Sequence, residues 1–298
     1  MSATRVSIVW PLLILAAGAL WMLQALGVLP NVASDLIGRG WPILLVLFGL
    51  MLLLGRRVRY GNLISVVVCV LLAGGVAVAA YNQQSGRLRT ENTKSLNQPI
   101  ESGIQNVRLV INTLSTEIEI TPGSTASIVG EFAGSKESIV TSDYQVDGAV
   151  GTFTFNEAQG SAIPALESVG RGKLTLRLPK GVTIDQFTLT GREGHVDFDA
   201  SGTTIKTLSL TMNGGDLNVK LPDKPGLIAD LKTGRGDAII TVPKTIAANV
   251  ALRGGGSGNP EYSQADYTLS IERVLVSKRA ADPQMQISVE ASGKITVQ

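Results

Sequence analysis

Three stretches decide how this chain folds: FTLTGREGHVDF (187–198), LSLTMNGGDLNV (208–219) and ADLKTGRGDAII (229–240). Laid under one another, they repeat at an interval of 21 residues. Leu189, Leu210, Leu231 and Leu252 keep that interval, and Phe187, Leu208, Ala229 and Val250 keep it two positions earlier. Gly194, Gly215 and Gly236 follow in register. A second alternating pair comes next: Val196 and Phe198, Leu217 and Val219, Ala238 and Ile240. Pro222 and Pro243 close two of the units. Apolar residues at alternate positions mark a half-buried strand, because successive side chains point to opposite faces. Each unit therefore reads as strand, glycine turn, strand and return loop.

A unit of this length cannot bury its apolar face alone, so a fixed period predicts stacked rungs with like residues in columns. Leu189 to Leu252 should form one continuous ladder in the core. Glycine serves the corner because the chain turns sharply there and Gly accepts positive φ. Outward from these units the period slips. Residues 112–120 and 287–297 read as degenerate rungs, the latter with Gly293 at its turn, and are expected to cap the open ends against edge pairing. Residues 129–171 do not fit the period and are expected to hold extra strands and an insertion. No stretch beyond residue 104 shows a helical period. Residues 104–298 are thus read as an all-β solenoid with rungs of about 21 residues.

Before residue 82 the composition changes. All three tryptophans (Trp10, Trp21, Trp41) lie there, with only five of the 26 Lys and Arg residues (Arg5, Arg39, Arg56, Arg57, Arg59) and, of the 24 Asp and Glu, only Asp35. Three apolar segments, 6–29, 37–54 and 63–81, approach the length of about 20 residues that spanning requires. They predict an α-helical membrane anchor of three transmembrane helices over residues 1–81. The second segment is short and carries Arg39, expected to snorkel to the interface; a re-entrant hairpin is its alternative. Trp10-Pro11 and Trp41-Pro42 open the first two segments, and Gly18 and Gly49 each follow eight positions after the tryptophan. Trp suits the headgroup boundary, Pro is tolerated in a first turn, and Gly permits close helix approach. The arginines at 56, 57 and 59 place the loop between the second and third segments in the cytoplasm. The expectation is a multi-pass cell-membrane protein with a cytoplasmic N-terminus and an extracytoplasmic β domain. If the second segment does not span, the N-terminus moves outside. A cleaved signal peptide is not expected, since the first apolar run is too long. The polar residues 82–103 read as a flexible linker.

His195, Asp216 and Asp237 follow the turn glycines in one column, with Asp197 and Asp199 nearby. An enzyme reading makes them the acid cluster of a carbohydrate-cleaving β-helix, because glycoside cleavage needs two carboxylates at a defined separation. Asp after Gly is also ordinary turn chemistry, and that reading is favoured. Calcium sites use a denser Asp/Asn/Gly loop than this column offers. Residues 254–258 (GGGSG) lack the Lys-Ser/Thr and following helix of a phosphate cradle. Arg171, Lys173, Lys278 and Arg279 read as solvated loop charges. His195 and Cys69 are the only histidine and cysteine; Cys69 sits in an apolar run, and no zinc spacing exists. A Ser/His/Asp set stays open in principle, without a Gly-x-Ser-x-Gly elbow to carry it. No catalytic, cofactor-binding or metal residue is assigned, no cofactor is implied, and the chain is read as non-enzymatic. A net charge of +2 without a basic stripe interleaved with aromatics points away from nucleic acid. No small-molecule substrate is evident.

The paired Trp-Pro-apolar-Gly segments, followed by a glycine-punctuated β repeat, resemble the LiaF-like family of bacterial cell-envelope stress proteins. Residues 1–81 are similar to the LiaI/LiaF-type transmembrane region. Residues 104–298 are similar to the “putative adhesin” or toast-rack β domains that accompany it. The resemblance covers nearly the whole chain and implies a role in sensing envelope stress and restraining a partner sensor histidine kinase. It carries no catalytic residues. The chain departs from the family in its three apolar segments, where members can have four, and in the irregular stretch after Val129. The resulting expectation is a membrane-anchored envelope protein whose β-solenoid is a binding or scaffolding surface in stress sensing or regulation. Its partners would be the lipid bilayer and a membrane sensor kinase or other envelope protein. The alternatives are a surface adhesin-like display domain and, behind it, a carbohydrate-active β-helix enzyme.

Overall fold

The computed structural model describes residues 67, 81–160, 169–254, 259–279 and 284–298. Among these the strands are β1 (Asn92–Pro99), β2 (Asn106–Pro122), β3 (Ser127–Gly134), β4 (Ser138–Asp147), β5 (Val150–Gln159) and β6 (Gly172–Leu178). The regular repeats supply β7 (Thr183–Glu193), β8 (Val196–Asp199), β9 (Thr204–Gly214), β10 (Leu217–Lys220), β11 (Ile228–Thr233) and β12 (Ala238–Thr241). The remainder are β13 (Ala248–Gly254), β14 (Glu261–Tyr262), β15 (Tyr267–Leu269), β16 (Val274–Ser277), β17 (Met285–Ala291) and β18 (Ile295–Val297).

The chain divides into two units, residues 1–87 with 163–169, and residues 88–162 with 170–298. In the first, helix is described at residue 67 and over 81–85, and Arg87 N–H donates to the Gln84 carbonyl at 3.0 Å. The second holds all the strands named above. The expected three-helix transmembrane anchor ahead of the solenoid is corrected here: nearly all the regular structure of the described residues is strand, and no helix among them is long and apolar enough to cross a membrane. Five helical residues rise only about 7.5 Å, against a hydrocarbon core of about 30 Å. Segments 6–29 and 37–54 lie outside the described residues, as does 63–81 apart from Val67 and Tyr81. Strand β1 lies inside 82–103, so part of the stretch read as a spacer is paired strand.

The period is the rung. In one ladder Leu189 pairs with Leu210 and Leu210 with Leu231, all parallel. In the other, Val196, Leu217 and Ala238 stand side by side in β8, β10 and β12. The ladders meet through their inner faces: Phe187 lies edge-on to Phe198 with ring centroids 5.0 Å apart, and Phe132 contacts Phe155 at 5.8 Å. Leu189, Leu210 and Leu231 have no exposed surface; burying each stabilises the fold by about 1.5–3 kcal/mol. Strand β2 serves both ladders, with Ile111 beside Leu189 in the first and Ile118 beside Val196 in the second.

Two expectations about the flanks are revised. Leu231 does not touch the rung of Leu252 directly. Strand β17 comes between, with Val289 paired to Leu231 on one side and to Leu252 on the other. Strand β18 does the same in the second ladder, pairing β12 and β14. Residues 287–297 are therefore an internal rung rather than an end cap. Residues 112–120 are internal too, because β5 and β6 flank β2 on its far side. The ends are instead built mainly from antiparallel strands, β4 and β1–β3 at one end and β15–β16 at the other, where β14, parallel to β18, finishes the second ladder. At the first end, Asn92 Nδ2 donates to the Ser138 carbonyl (2.7 Å) and Lys94 Nζ to the Val140 carbonyl (3.2 Å). These side chains blunt an edge that would otherwise offer free carbonyls to another strand.

The corner needs glycine for two reasons. Gly215 sits at φ +108°, and a Cβ there would overlap the Gly194 carbonyl. Gly236 repeats the arrangement against Gly215; at Gly293 only the close approach recurs, to the Asp237 carboxylate and the Gly236 carbonyl.

Candidate functional site

The outer face of the second ladder gathers the charged residues. Its first column runs from Glu117 through His195, Asp216 and Asp237 to Lys294; its second holds Glu119, Asp197, Asn218 and Ile239. A third pairs Asp199 with Lys220 and Thr241. All follow from alternation: in β8, β10 and β12 every second residue faces the core, and its neighbours face outward. A shallow groove lies on this face, lined by Glu119, Asp197, Asp199, Asn218, Lys220 and Thr241 among others.

The column of His195, Asp216 and Asp237 is brought together as the spacing implied, and its polar atoms are engaged. His195 Nε2 lies 3.4 Å from Asp197 Oδ1, and its Nδ1 lies 3.9 Å from Asp216 Oδ2. Asp216 Oδ1 accepts the Asp237 N–H at 2.8 Å. Asp237 Oδ1 accepts the Lys294 N–H at 2.7 Å. Each carboxylate thus braces the backbone of the next rung. Asn218 Nδ2 donates to Asp197 Oδ1 at 2.9 Å. Asp199 accepts the Ser201 N–H and hydroxyl and pairs with Lys220 at 3.3 Å. Partial burial raises the Asp199 pKa, but those hydrogen bonds and Lys220 outweigh it and hold the carboxyl below its ordinary value.

Four residues of this face escaped the period because they lie on β2 or at the start of β6. Glu117 pairs with Arg171 at 3.1 Å and Glu119 with Lys173 at 2.9 Å. The hydrogen bond that Lys173 donates to Glu119 holds its ammonium above its ordinary pKa. Of the two cations read as loop charges, Lys173 is a ladder residue of β6 and Arg171 lies just before that strand, bridged to Leu88; the alternation Glu117-Ile118-Glu119-Ile120 was the available signal. Arg279 is an anchor as well: Nη1 donates to the carbonyls of Pro243 and Ile246, and Nη2 lies 3.8 Å from Asp266. Lys278 Nζ donates to the Gln264 carbonyl at 2.6 Å. Gly254 adopts φ +72° at the end of β13, while residues 255–258 lie outside the described set, as does Cys69. Among the described residues no group of three or more His, Cys, Asp or Glu is placed to hold a metal ion.

The outer face of the first ladder is different. Thr188 and Thr190 pair with Ser209 and Thr211, and Val110 and Asn112 stand beside Thr154 and Asn156. Over β2, β7 and β9 it is rich in hydroxyls and amides, while β11 and β17 add Asp230, Lys232 and Glu290.

Residues 84–241 match the family described as the N-terminal domain of toast_rack, DUF2154. The chain belongs to that family. The toast-rack match ends at the last residue of β12, so every strand from β13 onward lies beyond it. A solved structure of a putative cell adhesion protein from Clostridium sporogenes shares the fold, with TM-score 0.61 and 18% identity, over 69% of this chain and 99% of that one. A putative adhesin from Bacteroides fragilis aligns over 72% of this chain and all of its own, at 13% identity and a TM-score of 0.29, too weak a likeness to argue from. No curated protein matches the chain. The toast-rack β domain expected from the repeats is therefore the part of the resemblance that stands.

Proposed function

We propose that this toast-rack domain is a non-enzymatic binding and scaffolding surface of a bacterial envelope protein, acting in cell-envelope stress sensing or regulation. The observation that carries the reading is the state of the acidic column. Glu117, Glu119, Asp197, Asp199, Asp216 and Asp237 are all held by cations, amides or rung backbones. Carboxylates committed in this way suit a rigid, patterned surface better than proton transfer, which needs one group free to give and one to take a proton. A stacked ladder offers an extended, stiff face, and its alternating charges favour a partner with the complementary pattern.

The partner in this reading is a membrane sensor kinase or another envelope protein. The location that goes with this reading is the outer side of the cell membrane, where such partners expose their own outer domains. Regulation would come from differential binding: the domain holds one state of the partner and releases it under stress. Deleting residues 88–298 and following a stress reporter tests this. A changed response to envelope-acting antibiotics is expected; an unchanged response to all of them would refute it. Cleavage of the domain by external protease in intact cells is expected as well.

The fold shared with the Clostridium sporogenes cell adhesion protein favours a second reading, display of the domain for attachment. That reading expects deletion to abolish attachment without transcriptional change.

A further inference from the structure

The order of rungs in space departs from their order in sequence at one place. Strands β17 and β18 lie between the third repeat (β11, β12) and the fourth (β13, β14). The chain reaches that place by crossing from β16, on one flank of β13, to β17 on the other. Yet the third and fourth repeats keep their common register across the interposed rung. Leu231 aligns with Leu252 through Val289, and Ala229 aligns with Val250 through Ile287. They stand where direct stacking would put them, one rung apart instead of adjacent.

We propose that the gap between the third and fourth repeats is a strand-acceptor site for residues 285–297 of a second copy of this chain, so that neighbouring chains link by exchanging this rung. Exchange of an identical element preserves every native contact, so its difficulty lies in the opened intermediate. In a sequence-ordered stack a central rung is joined by its loops to both neighbours and cannot leave alone, whereas residues 285–297 follow β16, and their withdrawal leaves β12 still joined to β13 with two apolar ledges facing each other. Here Leu231 and Leu252, and Ala229 and Val250, already share columns, so the ledges can close on each other in unchanged register. The intermediate thereby recovers much of the apolar burial that withdrawal exposes. The rung buries Met285, Ile287, Val289, Ala291, Ile295 and Val297, contacts that an exchanged copy would restore. Its side-chain polar contacts lie at the surface: Lys232 with Glu290 at 2.9 Å, Lys294 with Glu261 at 2.5 Å, Ser292 Oγ to the Gly234 carbonyl at 2.6 Å and the Lys294 N–H on Asp237. Ser288 Oγ is buried without a hydrogen-bond partner, which weakens the seated state further.

The test uses full chains carrying Cys69→Ser. One batch carries Lys232→Cys, and a second, distinguishable by a tag, carries Glu290→Cys. These positions face each other across β11 and β17. A chain with both substitutions must close its own disulfide, which shows that the variants fold. The two batches are then incubated together and oxidised. Exchange is expected to give a mixed disulfide dimer at several times the yield of a control pair, Thr211→Cys with Lys232→Cys on separate chains, which face each other across β9 and β11. Since β9 and β11 lie in sequence-ordered rungs, that control should stay near background. A mixed-dimer yield no higher than the control, with the doubly substituted chain closing normally, overturns the proposal.

Discussion

The first three repeats and the strands that follow them obey the same chemistry by different routes. In β7 to β12, sequence neighbours are spatial neighbours, and Gly215 and Gly236 each rest on the carbonyl of the glycine one period earlier. In β13 to β18 the same columns are filled, but Val289, Ala291 and Gly293 come from a segment far along the chain. The lesson concerns what a repeat encodes. A column of apolar residues and a corner glycine specify a register, and any segment that satisfies both can occupy a rung.

The corner glycines give the sharpest way to break this comparison. Gly215→Val would force a side chain into the Gly194 carbonyl at a positive φ. A loss of more than about 3 kcal/mol is expected, read by denaturant unfolding. The same change at Gly293 should be as damaging if the interposed rung is built like the others, and nearly harmless if it is a loose appendage. Next in size is truncation of the core column. Leu210→Ala should cost about 2–5 kcal/mol. Leu252→Ala should cost less, because the fourth repeat lies near the end of the stack and Leu252 keeps some exposure (4%) where Leu210 has none.

Smaller effects separate bracing from catalysis. Asp216→Ala removes the acceptor for the Asp237 N–H and should destabilise by up to about 1 kcal/mol. It should leave the binding of any partner to the first ladder's outer face unchanged, as judged by titration. The smallest effect is the pH response of Asp199. Its folded pKa lies below the unfolded one, so its contribution is present above the ordinary aspartate range and is lost as pH falls through the folded value. Asp199→Asn should therefore flatten the acid limb of the stability curve slightly, with little change near neutrality. The group is partly exposed, which keeps the effect small.

Much of this was legible in the sequence. Leu189, Leu210 and Leu231, with Gly194, Gly215 and Gly236, named the rung length and the corner, and His195, Asp216 and Asp237 named one surface column. The interposed rung was half legible: Gly293 and the alternation from Ile287 marked it as a rung, but no local pattern says between which two rungs a segment will lie. The end strands were hidden for a related reason. The pairings of β1 with β3 and β4 with β5 are antiparallel and leave no period to read. The cations of the candidate face, Arg171 and Lys173, were missed because their carboxylate partners sit 54 residues away for Arg171 and lie on β2, outside the repeat.

The central claim is that the period sets register while the interposed segment takes the place between rungs. Paired cysteines on the outer face of the first ladder test it directly, in chains carrying Cys69→Ser. Adjacent parallel strands bring Cα atoms within about 5 Å, inside disulfide reach, whereas strands two apart are roughly 10 Å distant. Ser209→Cys with Asp230→Cys, and Asp230→Cys with Ser288→Cys, should each close rapidly within one chain without loss of folded structure. A folded chain in which the second pair fails to close, while Asp230→Cys closes readily with Ala251→Cys, would contradict it.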